Sequence, residues 1–278
     1  MTVSLPFRQV DVFSHLPLLG NPVAVVHDAD GVSSEQMAAF ARWTNLSETT
    51  FLLAPTTPEA DYRLRIFTPT GELPFAGHPT LGSAHAWLEA GGVPRGDDLV
   101  QECGAGLVTV RRGERLAFRA PPLVRSGPVD DADLATIVAA LGIADDDVVD
   151  AAWIDNGPGW TGVLLRSAEA VLACRPGVGF GGLKAGVVGP YPEGTDGHDG
   201  CAVEVRAFYD GFEDPVTGSL NAGIAQWLGG RVLPSSYVAS QGTVLQRRGR
   251  VHVTGGGGEV WVGGDTSTTI TGTVGLGD

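Results

Sequence analysis

Two segments of similar sequence, far apart in the chain, each predict a buried helix. They cover residues 75–92 and 211–230. Both contain a Pro-x-x-Gly-Ser core, so that Pro79 corresponds to Pro215 at an offset of 215 − 79 = 136 residues. Neither segment has a polar side, which is typical of a helix that is buried all round. A chain with two such helices must surround each of them with other elements.

The start of each segment predicts how its helix begins. Proline is tolerated in the first turn because its missing N–H would have no partner there. We therefore expect His78 and Asp214, which precede the prolines, at the N-cap positions. The glycine pairs at 91–92 and 229–230 predict left-handed C-terminal caps. Free N–H groups and the positive dipole end of each helix would suit one carboxylate or phosphate held between them.

The same offset recurs elsewhere in the chain and indicates a duplication, with two domains of similar fold. The further matches are Pro22 with Pro158, Gly106 with Gly242, and Arg111-Arg112-Gly113 with Arg247-Arg248-Gly249. Many short β-rich runs accompany each apolar helix. We therefore expect a sheet wrapped around a helix, present twice, with the active site between the copies.

Local patterns place several individual elements. Ser33 followed by Gln36 is a capping-box pattern that predicts the start of a helix. Residues 62–67 alternate between apolar and polar side chains, which predicts a strand. A helix over about 133–141 would end at Gly142, and residues 255–258, between two β-rich runs, predict a hairpin loop.

Composition excludes some classes of partner. The formal net charge of −14 disfavours nucleic acid and anionic membranes, which need basic patches. No apolar stretch approaches the roughly 18 residues of a membrane span, and the N-terminal residues do not resemble a signal peptide. Three cysteines without paired spacing predict a reduced, cytoplasmic setting.

Two short motifs are weak indications of cofactor or metal sites. Residues 177–182 satisfy Gly-x-Gly-x-x-Gly, but no helix is predicted after them, so a dinucleotide site is not expected. His198-Asp199-Gly200-Cys201 lacks a second pair of ligands at a zinc-like spacing. We therefore predict neither a cofactor nor a metal.

Several longer motifs resemble the PhzF-like phenazine-biosynthesis family over essentially the whole chain. They are Gly20-Asn21-Pro22, Asn45-Leu46-Ser47-Glu48-Thr49, Phe67-Thr68-Pro69, the run from Glu72 to Gly82, Glu213-Asp214-Pro215-Val216-Thr217-Gly218-Ser219 and Gln241-Gly242. The resemblance implies an α+β, diaminopimelate-epimerase-like fold with two pseudo-symmetric domains. Each domain would be a barrel-like, mostly antiparallel sheet around a central helix. We place these domains at 1–125, completed by a last strand at about 268–278, and at 126–267.

The resemblance also implies a cofactor-independent isomerase, usually a homodimer, that moves a proton between carbons of a small and in some cases cyclic carboxylate. The family's acidic catalytic residue falls on Glu48, and His78 and Asp214 match the other catalytic positions. The carboxylate-binding part falls on Gly77 and Gly218, with Ser219 as a further ligand contact. This chain departs from the family in a short connection before Glu213, which alters one wall of the expected pocket.

Physical chemistry supports these assignments unequally. A buried carboxylate such as Glu48 can take a proton from one carbon and return it at another. Imidazole is a poor capping group, so His78 at a helix start favours a functional role. Capping alone would account for Asp214, and small size alone would account for Ser219.

Other functions remain open beside the proton-transferring isomerase. The same fold could serve as a non-catalytic binder of small anions, or as an epimerase or racemase of an amino-acid-like substrate. Two-thiol racemase chemistry needs a cysteine at each helix start, and His78 and Asp214 stand there instead. An NAD-dependent oxidoreductase would depend only on the glycine run at 177–182.

Overall fold

The computed structural model describes residues 3–192, 199–209 and 211–276. It divides into two compact units, Met1–Arg119 with Gly263–Asp278, and Ala120–Val262. The first unit contains β1 (Val3–Val12), β2 (Asn21–Val26), α1 (Ser34–Thr44), β3 (Glu48–Leu53), β4 (Tyr62–Thr68), β5 (Gly71–Leu73), α2 (Gly77–Glu89), β6 (Leu99–Cys103), β7 (Gly106–Arg112) and β8 (Leu116–Arg119).

The second unit begins with an additional strand and helix before the same series of elements. It contains β9 (Arg125–Pro128), α3 (Asp131–Leu141), β10 (Val148–Asp155), β11 (Trp160–Leu165), α4 (Ala168–Ala173), β12 (Lys184–Pro190), β13 (Val203–Tyr209), β14 (Phe212–Asp214), α5 (Gly218–Leu228), β15 (Ser236–Gln241), β16 (Gly249–Gly256) and β17 (Glu259–Gly264). The last strand, β18 (Thr266–Leu276), belongs to the first unit.

The two units share their strand pairing as well as their element order. In the first unit β1–β2 and β3–β4 are antiparallel, whereas β2–β3 and β4–β6 are parallel. In the second, β10–β11 and β12–β13 are antiparallel, whereas β11–β12 and β13–β15 are parallel. Strand β18 pairs with β1, and β9 pairs with β10, both antiparallel. The predicted α+β fold with two related halves is confirmed.

Each unit is organised around one buried helix. Helix α2 contacts β1, β2, β3 and β8, and α5 contacts β10, β11 and β16. Every residue of α5 except Gln226 is buried, as are most residues of α2. The absence of a polar side in these two segments correctly predicted their position inside the sheets.

The predicted offset of 136 residues is wrong at the central helices, where the structure gives 141. Helix α2 begins at Gly77 and α5 at Gly218, and 218 − 77 = 141. Strands β3 and β12, which begin at 48 and 184, are still 136 apart. The offset between equivalent residues therefore changes between β12 and β13. Aligning the two segments on their shared Pro-x-x-Gly-Ser core pairs residues that are not structurally equivalent.

A repeated ion pair establishes the corrected register. Arg65 binds Glu72 through two hydrogen bonds of 2.7 and 2.6 Å, and Arg206 binds Glu213 through two of 2.9 and 2.7 Å. Each arginine precedes its glutamate by seven residues, and 206 − 65 = 141. Each guanidinium also lies over the phenylalanine two residues further along its strand. The matched arginine triplets, in contrast, occupy different elements, the end of β7 and the start of β16.

The predicted helix starts are also wrong, because both helices begin at a different point of the motif. The N-cap residues are Ala76 and Thr217, and neither caps the helix with its side chain. The first helical hydrogen bonds run from Thr80 N to Ala76 O and from Asn221 N to Thr217 O. His78 is therefore the second residue of α2, and Asp214 is the last residue of β14.

At the helix ends, one glycine of each pair is left-handed, Gly91 with φ 93° and Gly230 with φ 71°. Gly229 is instead the C-cap residue, with φ −60°.

The other local predictions are confirmed where the structure describes them. Ser33 and Gln36 form both hydrogen bonds of a capping box, and α3 ends at a left-handed Gly142. Tyr62, Leu64 and Ile66 are all buried on β4. A two-residue connection at 257–258 separates β16 from β17.

The structure describes the glycine motif in full and the His198–Cys201 motif only in part. Residues 177–182 form the loop between α4 and β12. His198 lies outside the described residues, and among those that are described no three His, Cys, Asp or Glu side chains are grouped for metal binding. The described helices include none with the length and apolar character that crossing a membrane requires.

The close contact between α5 and β10 predicts an unusual effect of an alanine substitution. A Cβ on Gly223 would lie 2.5 Å from the backbone oxygen of Ile154, an atom that cannot rotate away. Glycine to alanine in a helix normally stabilises by about 0.5–1 kcal/mol. We expect Gly223→Ala to lower the free energy of unfolding by about 1–3 kcal/mol instead, measured by urea denaturation.

Gly256→Ala is the matched control in the same unit, because a Cβ there meets no atom within 4 Å. An increase in stability for Gly223→Ala would show that α5 can move away from β10.

Candidate functional site

Glu48 lies at the first position of a central strand of the first unit. Helix α1 ends at Thr44, and the left-handed conformation of its C-cap residue Asn45 (φ 54°) redirects the chain toward β3. Glu48 then stands beside Val23 of the parallel strand β2. Its side chain is 15% exposed, and Oε2 itself is buried. The strand thus places a carboxylate largely inside the protein, where interactions with neighbouring groups are strong.

His78 contacts Glu48 from the first turn of α2. Its Nε2 lies 3.3 Å from Glu48 Oε2, within ion-pair distance but without the angles of a hydrogen bond. The His78 side chain is 5% exposed. The structure therefore brings together two of the residues that the sequence assigned to catalysis.

Burial keeps His78 neutral. Desolvation lowers the pKa of His78 to about 3, and the backbone of Pro22 opposes this only in part. Nδ1 lies 3.4 Å from Asn21 Nδ2. A neutral imidazole carries one proton, so Nε2 faces Glu48 either as a donor or as an acceptor, according to the tautomer.

The start of α2 also offers backbone donors. Gly77 and His78 are its first two residues, both buried, and the N-cap side chain of Ala76 binds none of the N–H groups. The first N–H groups of a helix have no partner within it, and they lie at the positive end of its dipole. The start of α5 at Gly218 has the same character, because Thr217 provides no side-chain cap there either.

In the second unit, Asp214 is the last residue of β14, and the preceding residue, Glu213, forms an ion pair that fixes this strand. Glu213 binds Arg206, whose side chain is 1% exposed and also donates to the carbonyls of Val171 and Cys174. This buried ion pair fixes β14 against β13 and α4. Asp214 itself is half-buried, and its Oδ2 accepts a hydrogen bond of 2.5 Å from Thr217 Oγ1.

Ser219 is held on two sides at the start of α5. The indole of Trp160 donates from Nε1 to Ser219 Oγ over 3.0 Å. Asn156 Nδ2 donates to the carbonyl of Ser219 over 2.9 Å. Because Trp160 already donates to the hydroxyl, the hydroxyl proton is left to donate to another group.

The corrected register changes which residues correspond to one another. Ser219 matches His78, since 219 − 78 = 141, and Asp214 matches Leu73. The predicted correspondence between His78 and Asp214 is therefore wrong. In each unit an asparagine that follows the first strand of the repeat contacts the second residue of the central helix: Asn21, at the start of β2, or Asn156, just after β10.

The predicted site residues fall in both units. Glu48, Gly77 and His78 belong to the first, and Asp214, Gly218 and Ser219 to the second. Side chains with no predicted role that contact them include Asn21, Asn156, Trp160, Thr217 and Gln241. Asn21, Thr217 and Gln241 lie within motifs of the sequence, but their partners could not be known from spacing. Trp160 lies in no such motif.

The chain matches the model of the phenazine biosynthesis-like protein family over residues 10–274. It belongs to this family. A relative from Schizosaccharomyces pombe, antisense-enhancing sequence 1, is 38% identical over 96% of this chain and 97% of its own length. The trans-2,3-dihydro-3-hydroxyanthranilate isomerase of Pseudomonas aeruginosa is 57% identical over 77 residues, which are 28% of this chain and 27% of that protein.

A solved structure of a PhzF-family protein from Enterococcus faecalis shows the same fold. It is 24% identical, with a TM-score of 0.78, over 98% of this chain and 99% of that one. These comparisons confirm the family and the fold predicted from sequence. The chain is an isomerase of a small substrate, as relatives of the family are named.

The burial of His78 predicts a dependence of stability on pH. The pKa of His78 is about 3 in the folded chain and 6.5 ordinarily, so between these values only the unfolded chain binds the proton. Stability therefore falls as the pH is lowered through this window. We expect His78→Gln to reduce that slope by up to about 1.4 kcal/mol per pH unit, measured by urea denaturation between pH 4 and 7.

His15→Gln is the control, because the His15 side chain is exposed. An unchanged slope in His78→Gln would show that His78 binds a proton in the folded chain.

Proposed function

We propose that this isomerase moves a proton between two carbons of a small carboxylate, with Glu48 as the acid–base group. The observation that carries the proposal is the contact of 3.3 Å between Glu48 Oε2 and Nε2 of a buried, neutral His78. A carboxylate beside a neutral imidazole can accept a proton and return it without any permanent change in the protein.

The proposed reaction conserves every atom of the substrate. The Glu48 carboxylate removes a proton from one carbon, and the electrons of that C–H bond enter the adjacent unsaturated system. The protonated Glu48 then delivers the proton to a second carbon. His78 contacts the carboxylate in both of its states and, because it is neutral, adds no charge that would hold Glu48 in one of them.

We propose that the start of a central helix binds the carboxylate of the substrate. The N–H groups at Gly77 and at Gly218 belong to helix starts without a side-chain cap. Helix N-termini of this kind bind anions through N–H groups and the dipole. The hydroxyl of Ser219 is available as a further donor, since Trp160 Nε1 donates to it. Asp214 is proposed as the second acid–base group.

The Pseudomonas aeruginosa relative is named for trans-2,3-dihydro-3-hydroxyanthranilate, and this is the first substrate to test. The connection between β13 and β14 is a short hairpin in which Tyr209 pairs with Phe212. We infer that this hairpin changes the substrate range relative to family members that have a longer loop here. Assembly as a homodimer and a cytoplasmic location stay predictions.

Exchange of substrate protons in D2O tests the role of Glu48. We expect wild-type protein to introduce deuterium at carbon in a bound carboxylate. Glu48→Gln should reduce the rate by at least about 100-fold, because the amide cannot accept the proton. NMR measures the rate, and binding of the same carboxylate is measured separately by calorimetry.

Glu114→Gln is the control, since that side chain is 83% exposed. Exchange at the wild-type rate in Glu48→Gln, with binding intact, would contradict the assignment. A carboxylate that binds to wild-type protein and never exchanges would support the non-catalytic anion binder instead.

A further inference from the structure

We propose that Gln241, acting through Thr217, is a positioning residue that keeps Asp214 Oδ2 as a hydrogen-bond acceptor. Any proton that Asp214 carries or transfers is then confined to Oδ1. Only the expected effect on catalysis rests on the proposed function. The hydrogen bonds that carry it lie entirely within the second unit.

The orientation of the Gln241 amide is fixed by two backbone groups. Oε1 accepts from Thr217 N over 3.0 Å, and Nε2 donates to Asp214 O over 3.2 Å. A backbone N–H can only donate and a carbonyl can only accept, so the amide cannot be turned around. Asn221 Nδ2 agrees with this orientation, because it donates to Gln241 Oε1 over 2.9 Å and to Thr217 O over 2.9 Å.

The fixed amide determines the direction of the next hydrogen bond. Gln241 Nε2 also donates to Thr217 Oγ1 over 3.0 Å. The Thr217 hydroxyl has one proton, and among the described residues Asp214 Oδ2, at 2.5 Å, is its remaining partner. The hydroxyl therefore donates to Asp214. A distance of 2.5 Å is in the range of a hydrogen bond from a hydroxyl to an ionised carboxylate.

Burial makes this arrangement costly to reverse. Gln241 and Asn221 are fully buried, and Thr217 is 6% exposed. If Asp214 were protonated on Oδ2, the Thr217 proton would face the hydroxyl oxygen of a carboxylic acid, a much weaker acceptor than a carboxylate or carbonyl oxygen, in a part of the protein with little access to water. Weakening a buried hydrogen bond is unfavourable, so the protonated form of Asp214 carries its proton on Oδ1.

The first unit contains a natural control. Gln101 is fully buried on β6, the strand that corresponds to β15, and its Nε2 donates to Thr80 Oγ1 over 3.1 Å. Its Oε1 accepts from the hydroxyl of Tyr62 over 3.2 Å. Both glutamines thus bind the first turn of a central helix. Of these two chains of bonds, as the described residues form them, the one from Gln241 leads to a carboxylate.

Charged groups around Asp214 are common to all the variants compared. Glu213 on the same strand and Arg206 on β13 bind each other. Arg247 packs beside Gly242, at the end of β15. None of these residues is changed, so differences between variants report the hydroxyl and amide bonds.

The experiment compares Thr217→Val, which lacks the hydroxyl, with Thr217→Ser, which keeps it. The pH titration of the Asp214 carboxyl carbon is followed by 13C NMR, and Asp214→Asn identifies its signal. A hydrogen bond to the ionised form lowers a carboxyl pKa, so we expect Thr217→Val to raise the midpoint by about 0.5–1 pH unit. Thr217→Ser should remain near wild type. Gln241→Met, which removes the amide without adding a charge, should also raise the midpoint, and Gln101→Met should not.

Turnover supplies the second measurement. We expect Thr217→Val to lower kcat by about 10-fold with little change in KM, since the carboxylate would be present but poorly oriented. Its pH profile should shift with the NMR midpoint, and Thr217→Ser should restore both.

An unchanged Asp214 midpoint in folded Thr217→Val would overturn the inference, even if stability fell. A shifted midpoint in a protein that exchanges no substrate protons would support the positioning role and reject the proposed function.

Discussion

The burial of a whole helix, including its first turn, is the constraint on which each unit depends. A helix start leaves N–H groups without partners, and in most proteins a side chain or water satisfies them. At α2 and α5 the N-cap side chains do not. Burying an uncapped helix start costs stability. This cost is the physical basis of the proposal that a helix start binds an anion, because the donors are already in place and shielded from water.

The two units share several structural features but carry different side chains at the positions that these features present. The arginine–glutamate pair, the asparagine after the first strand and the uncapped helix start occur in both. Among the positions that differ between the units are several of those in the predicted site. The second helical position is histidine in one unit and serine in the other, and the last residue of β14 is aspartate where β5 has Leu73. The two units therefore share the backbone that presents these positions and differ in the side chains that stand there.

The sequence predicted what depends on composition and local pattern. Buried helices, the capping box at Ser33 and the turn at Gly142 follow from residue types a few positions apart. The register between the halves could not be found in this way. Small residues repeat so often in both helix segments that Pro79 and Pro215 matched by coincidence. The bonds that decide the register, such as those of Arg206, depend on strand pairing.

For the same reason the sequence identified Glu48 and His78 but not how they meet. Glu48 begins a strand and His78 begins a helix, thirty residues apart in the chain (78 − 48 = 30), and only the packing of α2 against β3 joins them. No pattern in the sequence indicates the proposed role of Gln241. Its effect on Asp214 passes through the hydroxyl of Thr217 and depends on which end of an amide faces which backbone group.

The two arginine–glutamate pairs show how burial changes the consequence of the same contact. Arg65 and Glu72 are 19% and 43% exposed, and a pair of this kind contributes little to stability. Arg206 and Glu213 are 1% and 7% exposed, so removal of either partner would leave a buried charge. The second pair immediately precedes Asp214, whereas the first precedes a leucine. The more deeply buried pair therefore lies beside the strand end that carries Asp214, and we expect it to hold that strand end in a fixed geometry, as the proposed acid–base role requires.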